Sequence, residues 1–175
     1  PYAFFTVPRS RRPEKRPVED VVDDLHRTLS EVVREHLVAD VPVGLLLSGG
    51  IDSSVIAALA ARDSRISTIS MGFADSAVDE RAFARTVATH IGSDHREVLI
   101  DHREVMEGLE DVVWYFDDLF ADWGTVSTRL LYRKCREQGI KVVLVGEGSD
   151  ELFGGYSTFA TAQSGRGPVL WQQFQ

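Results

Sequence analysis

The sequence predicts an α/β protein with a doubly wound parallel sheet and helices on both faces. Three observations carry that prediction. Short apolar runs alternate with helix-periodic segments, and that alternation implies right-handed crossovers between parallel strands. The first such run, "VGLLLS" at 43–48, is apolar without interruption, as a strand covered on both faces must be. Two glycine-bearing polar turns, "SGGIDSS" at 48–54 and "VGEGSDELFGGY" at 145–156, follow directly on strands. Parallel sheets bind ligands beyond those strand ends.

At 175 residues the chain has room for one well-filled domain. Its 43 % hydrophobic and 26 % charged content reads as a water-soluble globular protein. A net charge of -8 argues against nucleic-acid backbone binding, which needs clustered Lys and Arg. No apolar stretch approaches a membrane span, and no signal peptide opens the chain. The single cysteine, Cys135, has no disulfide partner, which fits a reducing cytoplasm, and its helical setting predicts a core residue.

The elements follow in order. "PYAFFTVPRSRRPEKRP" lacks an initiator methionine and reads as the middle of a longer protein, so truncation at both ends is expected. Residues 8–17 combine three prolines with five basic residues, and 1–17 read as a linker. From Val18 a helix carries Val18, Val22, Leu25, Leu29, Val32 and Leu37 on one face, until Asp40 to Pro42 break it. After the strand at 43–48, residues 53–62 are apolar nearly all round and predict a buried helix. "RISTISMGF" at 65–73 predicts a second strand. The next helix runs from Asp79 to Ile91, with Phe83, Val87 and Ile91 stacked on one face and Gly92 as its stop. "DHREVLI" at 94–100 is a third strand. A helix with Val105, Met106, Leu109, Val112, Val113 and Phe116 at helical spacing follows it. One more helix, 125–138, ends at Gly139, and "IKVVLVGEG" at 140–148 is a fourth strand.

In the first turn Gly49 and Gly50 allow a sharp bend and close approach of backbone N–H groups to a ligand. The helix beginning near Asp52 adds unpaired N–H groups and the positive end of its dipole. With the hydroxyls of Ser48, Ser53 and Ser54 this makes an oxyanion cradle suited to phosphate. It is not the usual P-loop, because no lysine follows the glycines. Asp52 beside a phosphate makes sense with a magnesium ion between them. In the second turn Glu147, Asp150 and Glu151 repel one another unless a cation or ligand is present. Asp150 completes a magnesium site with Asp52, and Glu147 serves as a base or orients an amine.

"SGGIDSS" followed about a hundred residues later by "GEGSDELFGGY" resembles the synthetase domain of glutamine-dependent asparagine synthetases. These belong to the ATP pyrophosphatase group with its S-G-G-x-D-S loop. "DVPVGLLLSGG", "TISMGF", "GSDHREV" and "GIKVVLVGEG" extend the resemblance over most of 18–157. It implies an adenine nucleotide alpha hydrolase-like fold, with 18–175 as the N-terminal part of the ATP-binding synthetase domain. It implies that ATP is split between its α- and β-phosphates to form an acyl-adenylate, which ammonia converts to an amide. Ser48, Gly49, Gly50, Asp52 and Ser53 would hold the pyrophosphate, and Asp52 and Asp150 the magnesium. Leu46, Met71, Val145 and Gly146 would line the adenosine site. Glu147 matches the acid the family uses in forming or consuming the adenylate.

Aspartate, with ammonia from a covalently linked glutaminase domain, is the acceptor the resemblance implies first, and a homodimer is an open alternative to a monomer. The region "DDLFADWGTVSTRLL" at 117–131 departs from the family's pattern: no Pro is present, and Trp123 stands about where asparagine synthetases proper carry an Arg. Thr125, Ser127 and Arg129 are the alternatives for holding the acceptor there, and none is assigned to it. An amidotransferase for a sugar acid, a peptide or a β-lactam precursor therefore stays open, although Glu147 argues against the β-lactam type. The family's later lysine lies beyond the chain, so the chain by itself is expected to be an incomplete catalyst. A non-catalytic nucleotide-binding module would have lost Asp52 or Asp150. A tRNA-modifying transferase would want a basic surface. The five histidines show no metal spacing. Trp114, Tyr115 and Phe116 are expected to pack in the core, and Asp117, Asp118 and Asp122 read as a solvated helix end or substrate-site acids.

Overall fold

The computed structural model describes residues 16–73, 79–117, 123–156 and 159. Apart from Arg16 and Pro17, the expected linker lies outside them, as do Asp118 and Asp122. Helix α1 (Val18–His36) leads into strand β1 (Val43–Leu46), helix α2 (Ile51–Ala60) and strand β2 (Ser67–Phe73). Helix α3 (Arg81–Ile91), strand β3 (Asp94–Ile100), helices α4 (His102–Phe116) and α5 (Trp123–Glu137), strand β4 (Val142–Leu144) and the short helix α6 (Ser149–Phe153) complete the order.

All pairings are parallel, and the strand order is β3-β2-β1-β4. The register sets Gly44 against Ser67 on one side of β1, and Val43 against Val142 on the other. The chain moves outward from β1 to β2 and β3, then returns to the opposite flank with β4. The topological switch point therefore lies between β1 and β4, where a crevice opens at the carboxyl ends of the strands.

Alternation along β1 feeds two cores. Leu45 and Leu47 pack with Val33, Ala57, Ala60, Ile66, Ala84 and Ala88, so α1, α2 and α3 cover one face. Ile69, Val98 and Ile100 pack with Val112, Val126, Leu130 and Cys135, so α4 and α5 cover the other. This is the doubly wound arrangement expected from the alternation. Cys135 is buried as predicted, and burial pushes its thiol up. Local signals end the helices: Gly92 and Gly139 take positive φ, and Asp101 and Glu104 form a reciprocal capping box at the start of α4.

Several helix faces differ from expectation. The apolar stripe of α1 is largely uncovered, with Val18, Val22, Leu25 and Val32 exposed and only Val33 buried. Helix α2 is not buried all round; Ser53, Ala57 and Ala60 face the core while Val55 is 41 % exposed. In α3 the alanines at 84 and 88 make the close contact, Val87 and Ile91 pack at its edge, and Phe83 is exposed. Trp114, Tyr115 and Phe116 are likewise exposed, not core. Small residues let a helix approach a sheet closely. Apolar periodicity shows that a face exists without showing that anything covers it.

Candidate functional site

The turn after β1 is built by its own hydroxyls. The Ser48 N–H donates to Ser53 Oγ (3.3 Å), the Gly50 N–H donates to Ser48 Oγ (3.2 Å), and Ser53 Oγ donates to the Gly50 carbonyl (3.3 Å). The two hydroxyls lie 3.0 Å apart. Ser48 and Ser53 thus brace the loop. No side chain caps α2 at Gly50, so the N–H groups of Ile51, Asp52 and Ser53 are the orphan donors of its first turn. Gly49 has φ +87°, and a Cβ there would stand 2.5 Å from the Ala84 nitrogen. The N-terminal end of α3 therefore seats directly on Gly49.

The turn after β4 packs against the same helix start. A Cβ on Gly146 would lie 3.5 Å from the Ser53 nitrogen and 3.5 Å from Ile56 Cδ1. Between the two turns is a cavity of about 650 Å³. It is walled by Leu46, Ser48, Gly50, Asp52, Ser53, Met71, Val145, Gly146, Glu147 and Asp150. Residues separated by about a hundred positions thus share one crevice at the switch point. Gly49 and Ser54 do not line it. The Ser54 N–H donates to the Gly50 carbonyl (3.0 Å), and its hydroxyl is buried with no hydrogen-bond partner among the described residues.

The carboxylates differ in their partners. Tyr156 Oη donates to Glu151 Oε1 at 2.7 Å, which lowers the Glu151 carboxyl and raises the Tyr156 hydroxyl. Asp52, Glu147 and Asp150 make no side-chain hydrogen bond or ion pair among the described residues. A Cβ on Gly155 would overlap Asp150 Oδ1, so this glycine leaves room for the carboxylate. Among the described residues no three His, Cys, Asp or Glu side chains gather into a ready-made metal site. Two unpaired carboxylates on one crevice suit magnesium, which binds through one or two carboxylates and completes its shell with water and substrate phosphate.

Sequence reasoning missed several wall residues. Tyr156 belongs to the second turn and was within reach of it, as was Glu151, which was named there only as one of three mutually repelling acids. Glu80 and Ser70 arrive from the start of α3 and from β2, with no local signal of a site. Ser70 also belongs to a buried polar chain. Its Oγ is 3.3 Å from His95 Nε2, His95 Nδ1 is 2.9 Å from Thr68 Oγ1, and Thr68 Oγ1 is 2.7 Å from Ser93 Oγ. Burial lowers the His95 pKa, and Glu97, itself gripped by Arg85, opposes that shift.

A second cavity of about 620 Å³ lies between α4 and α5, walled by Val112, Tyr115, Phe116, Thr128, Arg129 and Tyr132, among others. Glu147 lines both cavities. Burial raises the Tyr132 hydroxyl, and the nearby Glu147 carboxylate adds to the effect. Arg129 Nη1 is 2.8 Å from Asp111 Oδ2 but off the hydrogen-bond direction, so this contact is an ion pair without a hydrogen bond. The same guanidinium lies over the Tyr115 ring, 5.1 Å from its centroid.

Comparison with known proteins agrees with this geometry. The family profile described as "Asparagine synthase" matches residues 24–173. An asparagine synthetase (glutamine-hydrolyzing) of Saccharomyces cerevisiae is 37 % identical, with 80 % of this chain and 30 % of that protein covered. The amidase chyE of Penicillium rubens is 35 % identical, with 91 % of this chain and 26 % of that protein covered. The chain spans 21–30 % of the length of such curated relatives. Among solved structures, a glutamine-dependent NAD+ synthetase from Acinetobacter baumannii in complex with adenosine diphosphate superposes with TM-score 0.52 at 22 % identity. That alignment covers 84 % of this chain and 29 % of the other, and it shows a shared fold.

Proposed function

The chain belongs to the asparagine synthase family, and from that premise we propose that it is the ATP-binding, amide-forming part of an AMP-forming carbon–nitrogen ligase. One observation carries the reading: an uncapped helix start, two unpaired aspartates and Glu147 meet on a single crevice at the switch point.

An acceptor carboxylate oxygen attacks the α-phosphorus of ATP, the bond to the β-phosphate's bridging oxygen breaks, and pyrophosphate leaves. Ammonia then attacks the acyl carbon, a C–N bond forms, the C–O bond to AMP breaks, and the surplus proton on nitrogen passes to a base. Orphan N–H groups of Ile51, Asp52 and Ser53 face the charge that grows on the leaving pyrophosphate. Leu46, Met71, Val145 and Gly146 wall the adenosine. Glu147 stands where it can take the ammonium proton. Asp52 and Asp150 would hold magnesium, which supplies the positive charge that a P-loop obtains from its lysine.

Aspartate as acceptor, with glutamine-derived ammonia from a linked glutaminase domain, is supported by the names of the asparagine synthetase relatives. A different carboxylate is a second reading, favoured by the aromatic cavity that shares Glu147. The test is calorimetric titration of the whole protein with ATP and Mg2+. Asp52→Asn and Asp150→Asn should each weaken Mg2+-dependent ATP binding by about tenfold or more, equivalent to about 1.4 kcal/mol. Affinities equal to wild type for both variants would remove the metal role and the ligase reading built on it.

A further inference from the structure

We propose that Ser70 donates its hydroxyl proton to a phosphate oxygen of the bound nucleotide, and that His95, by taking up a proton, is the residue that positions it to do so. This rests on the ligase reading above and adds to it a phosphate contact linked to a proton from solvent.

Ser70 is 3 % exposed, yet it lines the crevice together with Ser48, Gly50 and Ser53. Side chains alternate along β2, so Met71 packs towards the core under α4 and α5 while Ser70 points the other way. Ser70 stands opposite Glu97 in the register, and Arg85 of α3 grips Glu97, so α3 covers this face. The start of α3 is also what seats on Gly49. Ser70 therefore belongs to the phosphate-turn side of the crevice, and Met71 to the adenosine side.

The buried chain behind Ser70 dictates where its proton points. Its far end is the Ala88 carbonyl, which can only accept, so Ser93 Oγ donates to it at 3.4 Å. Thr68 then donates to Ser93, and Thr68 Oγ1 accepts from His95 Nδ1–H. Neutral His95 is left with Nε2 as an acceptor, which takes the Ser70 proton at 3.3 Å and turns the lone pairs of Ser70 towards the crevice. Those lone pairs repel a phosphate oxygen. Protonation of Nε2 reverses the bond: Nε2–H donates to Ser70 Oγ, and the Ser70 hydroxyl is free to donate to the phosphate. The anion and the proton thus favour each other's binding.

The charges around the ring leave it able to switch. The His95 side chain is 11 % exposed, and the Glu97 carboxylate lies 4.0 Å from Nε2, where it favours the imidazolium. From α3, Arg85 opposes it, and Arg81 lies 3.6 Å from Glu97. From β2 the ring meets only the neutral hydroxyls of Thr68 and Ser70.

The experiment is calorimetric titration of the whole protein with MgATP in pairs of buffers that differ in ionisation enthalpy. At about pH 6 the wild type should take up about half a proton more per nucleotide than Ser70→Ala does. Ser70→Ala should weaken MgATP about fivefold at about pH 6 and less than about twofold at about pH 8.5, where His95 is neutral. Ser70→Thr, which keeps the hydroxyl, should retain the uptake, and adenosine, which lacks the phosphates, should cause none. Equal proton counts for the wild type and Ser70→Ala, or a loss of affinity that is the same at both pH values, overturn the inference and leave the ligase reading standing. Uptake on binding adenosine also overturns it. A wild type that binds no MgATP at either pH overturns both.

Discussion

Alanine at Gly49 and alanine at Gly50 probe two different demands inside one turn. Gly49 has φ +87°, a conformation that costs an L-residue about 1–2 kcal/mol. A Cβ there would also stand 2.5 Å from the Ala84 nitrogen, 2.6 Å from Phe83 Cβ and 2.7 Å from the Phe83 carbonyl carbon. Those are largely backbone atoms of α3, so the helix must shift, and overpacking of this kind costs about 1–3 kcal/mol. Gly49→Ala should therefore destabilise the fold by about 2–5 kcal/mol. Gly50 has an ordinary extended backbone (φ -67°, ψ 165°), and its Cβ would meet only Ser48 Oγ at 3.3 Å. The loss of unfolded-state entropy offsets that small contact, so Gly50→Ala should stay within about 1 kcal/mol of wild type. Gly50 lines the crevice, however, so its variant should bind ATP more weakly while remaining folded. Urea unfolding at constant m-value measures the first effect and ATP titration the second. A Gly49→Ala protein within about 0.5 kcal/mol of wild type would refute the packing argument, as would Gly50→Ala proving the more destabilising of the two.

Further outcomes follow from the cores. Burial lowers the His95 pKa below its ordinary 6.5, so the folded state binds fewer protons than the unfolded chain in that range. Its contribution is complete above about pH 6.5 and is lost as pH falls towards the folded pKa. His95→Gln should flatten the acid limb of a stability–pH curve, and an identical limb would exclude His95 as its source. Leu130 is fully buried between α4, α5 and the sheet, so Leu130→Ala should cost about 2–5 kcal/mol by denaturant melt. A loss below about 1 kcal/mol would mean that the site collapses around the deletion.

Much of the site was legible locally because its chemistry is local. Ser48, Gly50 and Ser53 are three parts of one seven-residue turn, and their mutual hydrogen bonds need nothing from outside it. The second turn announced Glu147 and Asp150 in the same way. Ser70 and Glu80 were not legible, since nothing adjacent to them in sequence differs from an ordinary strand and an ordinary helix start. The aromatic triplet 114–116 sits at helical spacing with core residues, yet it runs past the edge of what α5 covers and becomes cavity wall and surface.

Period, turn chemistry and helix stops are encoded within a few residues. The strands and helices, the glycine stops at Gly92 and Gly139 and the unpaired N–H groups that open α2 were therefore properties of the sequence alone. Strand neighbours are chosen by pairings tens of residues apart. Only the tertiary structure placed β4 beside β1 and brought Asp150 and Glu147 to the crevice that Asp52 enters. The same long-range packing decided which apolar faces are covered, because a stripe of hydrophobic side chains records what a helix can bury, and the neighbouring elements decide what it does bury.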